Sequence, residues 1–221
     1  FDTVKVEYVI FQNVERYIVF RGSGINREIQ FNYSDVQEKF DKNKKEKVQP
    51  KKVVPIKEEP YPTDRFVKFP YNNIMYQFYA TGGNKLVYKE KLTKKLFSTE
   101  SNDLLFYHED VDLTEYNNDT TRINSLNTNL NDITELLQKK GIKLIVLIPP
   151  DKLDLYYPYL ENKDKYPKPI FFDYFNGLPK KYLYIDTRTV FREFLAQGMK
   201  DVYLYDDTHW SPWASDIITS E

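Results

Sequence analysis

The chain contains no cysteine, which excludes disulfides, thiolate metal sites and cysteine nucleophiles together. That leaves both the cytosol and a cell-envelope compartment open. An excess of one charge is also lacking: 32 Lys and Arg stand against 33 Asp and Glu. With no global field, neither nucleic acid nor an anionic membrane surface is expected as a partner. No segment reaches the roughly 18 consecutive apolar residues needed to span a bilayer. The start, Phe1-Asp2-Thr3-Val4, carries neither a methionine nor the basic region of a secretion signal, so the sequence reads as a mature form or a piece of a longer protein. Glycine is sparse, with seven in all, and Gly82-Gly83 lacks the spacing of a phosphate-binding loop and reads as a hairpin turn. No cofactor is called for. Histidine occurs only twice, at His108 and His209.

Aromatic residues are plentiful instead, with 19 Tyr and 15 Phe. Tyrosine joins a flat apolar body to a polar tip and suits both cores and sugar faces. A length of 221 residues fits one main domain with an N-terminal extra. We place residues 1–40 in an N-terminal strand and helix segment. Within it, residues 8–11 read as a strand, and residues 17–20 as a short helix or second strand. Residues 41–64 are lysine-rich and then proline-punctuated, without apolar periodicity, as in a solvated linker or long surface loop.

Residues 65–221 form the main domain. Leu104-Leu105-Phe106-Tyr107 reads as a short buried strand. From Asp119, the apolar residues Ile123, Leu126, Leu130, Ile133, Leu136 and Leu137 recur at helical spacing, and Gly141 supplies a stop. The following run, residues 142–148, is apolar on both faces and ends at Pro149-Pro150, as in a parallel strand covered by helices. Residues 182–186, 189–197 and 202–205 continue as strand, helix and short strand. Ser211-Pro212 then fits the cap and first position of a closing helix. Alternating strands and helices imply an α/β fold, a three-layer sandwich with a mostly parallel sheet.

Chemistry gathers at the carboxyl ends of the strands of such sheets, where Asp207-Thr208-His209 falls. A carboxylate beside an imidazole fixes its tautomer and stabilises the imidazolium, giving a base for a hydroxyl proton near neutral pH. Trp210, Ser211 and Trp213 are candidates for substrate contact, and equally for packing. Ser23, flanked by Gly22 and Gly24, is a candidate nucleophile if it sits on a strand-to-helix turn; a flexible turn is the plainer reading. A metal site would draw on His108, Asp110, Asp112, Asp207 and His209. Their spacing matches no metal motif, so no metal is expected, and acidic residues after a strand usually face water.

Four motifs together resemble a known family: Leu104-Leu105-Phe106-Tyr107-His108-Glu109-Asp110, Gly141-Ile142-Lys143-Leu144-Ile145-Val146-Leu147-Ile148-Pro149-Pro150-Asp151-Lys152, Tyr182-Leu183-Tyr184-Ile185-Asp186-Thr187-Arg188 and Asp207-Thr208-His209-Trp210-Ser211-Pro212. They occur in the order seen in SGNH-hydrolase-like acetyltransferases of the alginate O-acetylation type (AlgX and AlgJ), over about residues 97–221. The resemblance implies an SGNH or flavodoxin-like sandwich exposed to the periplasm or envelope. It implies acetyl transfer onto, or off, polysaccharide hydroxyls through a serine acyl-enzyme. The partners would be a polysaccharide acceptor and an acetyl donor delivered by a membrane acyltransferase. His209 matches the family's base and Asp207 its orienting partner.

The family's serine lies well after the Asp-x-His motif, and Ser211, Ser215 and Ser220 sit too close to His209 to match it. The segment Val9-Ile10-Phe11-Gln12-Asn13-Val14-Glu15-Arg16-Tyr17 is similar to the one that follows the serine block in these proteins. A fragment of a tandem protein, a domain completed by another chain, and a chance likeness at the N-terminus all fit. Two other functions are consistent with the residues: a catalytically silent carbohydrate-binding or assembly protein on the same fold, and a metal-dependent hydrolase using both histidines.

Overall fold

The computed structural model describes residues 6–24 and 86–220, all of which fall in one compact unit. The linker at 41–64 and Gly82-Gly83 lie outside the described residues. Strand β1 (Tyr8–Gln12) and helix α1 (Glu15–Ser23) come first, then the antiparallel strands β2 (Val87–Lys91) and β3 (Asp103–Tyr107). Short helices α2 (Glu109–Asp112) and α3 (Thr114–Asn117) lead into the long α4 (Thr120–Gln138). After it follow β4 (Lys143–Leu147), α5 (Lys152–Tyr156), α6 (Phe171–Phe175), β5 (Leu183–Ile185), α7 (Thr187–Ala196) and α8 (Pro212–Ser220).

The central sheet is parallel, in the order β1-β4-β5. Side chains alternate across it. Leu144 and Val146 point to one face, where they meet Ile18 and Val19 of α1, Ile123, Leu126 and Leu130 of α4, and Phe171, Phe172 and Phe175 of α6. Leu147 and Ile185 point to the other and pack against Leu153 and Tyr156 of α5, Phe191 and Leu195 of α7, and Ala214 and Ile218 of α8. The result is the helix, sheet, helix sandwich of an α/β fold, and it explains why β4 is apolar on both faces.

Helix α4 starts and stops where its sequence says. The Asp119 carboxylate accepts from the Thr121 and Arg122 N–H groups at 2.9 and 3.3 Å. At the other end Gly141 takes a positive φ of 72°. Gly141 N–H donates to Gln138 O at 2.9 Å and Ile142 N–H to Leu137 O at 3.0 Å, which closes the helix by satisfying its last carbonyls.

The composition boundary sets residues 1–40 apart from 65–221, yet β1 lies beside β4, with Tyr8 opposite Lys143 and Gln12 opposite Leu147. Parallel pairing requires no nearness in sequence, so nothing local announces the partner. Residues 17–20 are helical. Of residues 202–205, only Tyr203 pairs, in an isolated antiparallel bridge to Trp210.

Candidate active site

Each parallel strand runs at its carboxyl end into charge: Glu15 and Arg16 after β1, Asp151 and Lys152 after β4, Asp186 and Arg188 after β5. Parallel strands bring these ends together. Arg16 Nε donates to Asp151 Oδ1 at 3.0 Å, and its Nη1 lies 3.0 Å from Asp110 Oδ1. Glu15 Oε2 accepts the Asp151 N–H at 2.8 Å. Arg188 and Arg192 donate to Asp154 Oδ1 at 3.3 and 3.0 Å.

Glu15, Arg16, Asp110, Asp151, Lys152, Asp154 and Arg188 are all buried. Opposed charges offset the desolvation that each alone would suffer. Asp110 thus departs from the expectation that acids following β3 face water, because α2 turns it inward toward Arg16. Burial pushes its carboxyl up to about 6, although Arg16 opposes the shift. Burial also raises Asp151, with Asp110 adding to it. Glu15 is held well above the usual carboxylate range, first by burial and then by the charges of Asp154 and Asp151. The Glu15 carboxyl faces Asp154, whose Oδ2 has no other donor among the described residues. A protonated Glu15 carboxyl would supply that donor.

Above this network runs the loop between α7 and α8, which carries Asp207 and His209. Leu204 N–H donates to His209 O at 3.0 Å and Ser211 N–H to Val202 O at 2.8 Å. The Tyr203 hydroxyl donates to Pro150 O. Asp207 Oδ1 lies 2.6 Å from His209 Nδ1 and accepts the His209 N–H at 3.1 Å. One oxygen therefore holds both the ring and the backbone of the histidine. The hydrogen bond from His209 keeps the Asp207 carboxyl below its ordinary range. The His209 side chain is 79% exposed. With the proton on Nδ1, Nε2 faces outward as the acceptor.

The other candidates sit elsewhere. Trp210 packs edge-on against Phe191 at 5.6 Å and Trp213 against Phe194 at 6.4 Å, both on α7. The Ser211 hydroxyl is buried and accepts the Ala214 N–H at 3.4 Å, capping α8. Ser23 ends α1 rather than occupying a strand-to-helix turn. It lies eight residues past Glu15, about 12 Å along the axis, at the end remote from Asp151. Among the described residues no serine hydroxyl bonds the His209 ring. His108 Nδ1 lies 2.6 Å from Asp112 Oδ2. No three His, Cys, Asp or Glu side chains among the described residues form a metal-binding group, and Asp110 is committed to Arg16.

A parallel α/β sandwich with an imidazole and carboxylate pair at the carboxyl edge of its sheet has the form of an acyl-hydrolase-like domain. Residues 101–219, more than half of the chain, match the family described as SGNH hydrolase-like domain, acetyltransferase AlgX. The chain belongs to that family. The match takes in β3, the Asp207 and His209 loop and nearly all of α8, and leaves β1 and α1 outside. No curated protein and no solved structure matches the chain. No helix among the described residues is long and apolar enough to cross a membrane.

Reading the sequence missed the buried network. Its one local signal is a charged pair following directly on an apolar strand, as Asp151-Lys152 follows Pro149-Pro150.

Proposed function

We propose that this domain moves acetyl groups onto, or off, a polysaccharide hydroxyl at the cell envelope, with His209 as general base and Asp207 as its orienting partner. The observation that carries the reading is the 2.6 Å contact between Asp207 Oδ1 and His209 Nδ1. It fixes the tautomer and leaves Nε2 free to take a proton. Family membership supplies the acetyl chemistry.

In this scheme Nε2 takes the proton of a serine hydroxyl as the oxygen attacks the acetyl donor, and returns it to the leaving group. The sugar hydroxyl then gives its proton to Nε2 and attacks the acyl-serine, and the imidazolium reprotonates the serine as it departs. Water in place of the sugar gives hydrolysis. The serine comes from outside the described residues or from another chain. The donor is an acetyl group delivered by a membrane acyltransferase.

The test is incubation of the protein with an activated acetyl ester, read as a burst of released alcohol and as an acetyl adduct by mass spectrometry. His209→Ala should lower turnover by about 10²–10⁴-fold, the usual contribution of a positioned base. Full activity in that variant would sink the proposal. Absence of any adduct, with polysaccharide binding retained, would instead assign a catalytically silent carbohydrate-binding role.

A further inference from the structure

We propose that Lys152 is the positioning residue of the Asp207 and His209 pair, pinning the loop that carries both to the end of β4 through three backbone carbonyls. Its Nζ donates to Tyr205 O at 2.9 Å, Leu204 O at 3.0 Å and Asp207 O at 3.1 Å. An ammonium has three N–H groups, and here all three are spent on one loop. The residue is 1% exposed, so its ammonium has little contact with water to replace these bonds. The carboxylates of Asp110, Asp207 and Asp206 act on its charge, yet none bonds it, so the cation grips backbone and leaves the Asp207 carboxylate to His209.

The surroundings fit an anchor. The Phe97 ring lies 5.5 Å from Nζ and meets the Tyr205 ring edge-on at 5.5 Å, forming a floor under the loop. Lys152 is attached where Pro149 and Pro150 end the strand segment, and the adjacent Asp151 is held by Arg16. Bonds to a charged donor are about twice as strong as neutral ones. Three converging on four residues hold Asp207 O, and with it the start of the Asp-x-His turn, in a single place.

The proposal rests on reading His209 as the base, and its test avoids turnover. Lys152→Met keeps the stem and removes the donors. In that variant the Leu204, His209 and Ser211 amides should exchange with solvent at least about 100-fold faster, because the bonds are lost together. Ring ¹⁵N shifts should show His209 leaving the Nδ1–H tautomer while His108, paired with Asp112, keeps its own. A variant that melts at a lower temperature but retains the exchange rates and the His209 tautomer would make Lys152 merely structural and overturn the proposal.

Should the variant not fold, the wild-type protein decides. ¹⁵N-lysine labelling should reveal a slowly exchanging ammonium assigned to Lys152, with Lys180, which also donates to three carbonyls, as the internal reference; rapid exchange at Lys152 would overturn the proposal. Failure of the acetyl-transfer reading is separate, since it shows as full activity in His209→Ala with these spectra intact.

Discussion

Replacing Glu15 by glutamine probes the buried network at its most unusual point. One Glu15 oxygen accepts the Asp151 N–H at 2.8 Å and the carboxyl also faces Asp154. Glutamine keeps the shape: its carbonyl takes the Asp151 N–H and its amide donates to Asp154. The carboxyl must hold a proton to do the same. Its folded pKa is raised above the ordinary 4.5. A group of that kind contributes stability that is whole below the unfolded pKa and is lost as pH rises toward the folded one. Between those values the folded protein binds the extra proton, so stability falls by up to about 1.4 kcal/mol per pH unit.

Glutamine removes that proton, and because Asp110, Asp151 and Asp154 stay in both proteins, the difference between them reports Glu15 together with its charge coupling to Asp154 and Asp151. Melting followed by circular dichroism should give nearly equal midpoints at about pH 5, with Glu15→Gln moving ahead as pH rises to about 8, by roughly 2–4 °C for each kcal/mol in a domain of this size. A gap that stays constant with pH, or a variant less stable than wild type by more than about 2 kcal/mol at the alkaline end, would mean that Glu15 is an anion in the folded state and refute the reasoning.

Two glycines give opposite lessons. Gly141 has φ +72° with open space where a methyl group would stand, so Gly141→Ala should lower stability by about 1–2 kcal/mol through backbone strain alone, read from the urea midpoint at unchanged slope. At Gly22 the backbone is helical, and alanine would gain about 1 kcal/mol of helix propensity. Its Cβ would, however, fall 2.2 Å from Leu126 Cδ1, and Leu126 is fully buried. Overpacking of about 1–3 kcal/mol should win, giving net destabilisation by thermal melting, and the sign should reverse in a Leu126→Ala background.

What could be read from residues alone followed from how local each signal is. The α4 stripe from Ile123 to Leu137, its Asp119 start and Gly141 stop, and the double-sided apolarity of β4 are each contained within some twenty residues of chain, and the structure has them as expected except for Leu136, which faces solvent at 62% exposure. The Asp207 and His209 pairing is equally local, two positions apart. The place of β1 was not legible, because a strand of five residues carries no address for its parallel partner. Nor was the burial of Asp110, Asp151 and Lys152: a charge after a strand looks the same in sequence whether it meets water or an arginine contributed by another element. Lys152 is the sharpest case, since its partners are carbonyls, which have no sequence identity at all.

The return of β1 to β4 also favours a late place for β1 in the order of assembly. Arg16 and Asp151 are 135 positions apart, while α4 and β4 follow one another directly. Closing so long a span is entropically slower than local docking, so α4 and the β4 to β5 pair can collapse while the β4 edge is still bare. During that interval the edge is open to pairing with any other extended chain. The clamp of Arg16 on Asp151, and with it the rigid base beneath His209, arrives only when the edge is finally sealed. A molecule arrested one step short would keep most of the helix of the described residues by circular dichroism, while the loop carrying Asp207 and His209 lacked its base.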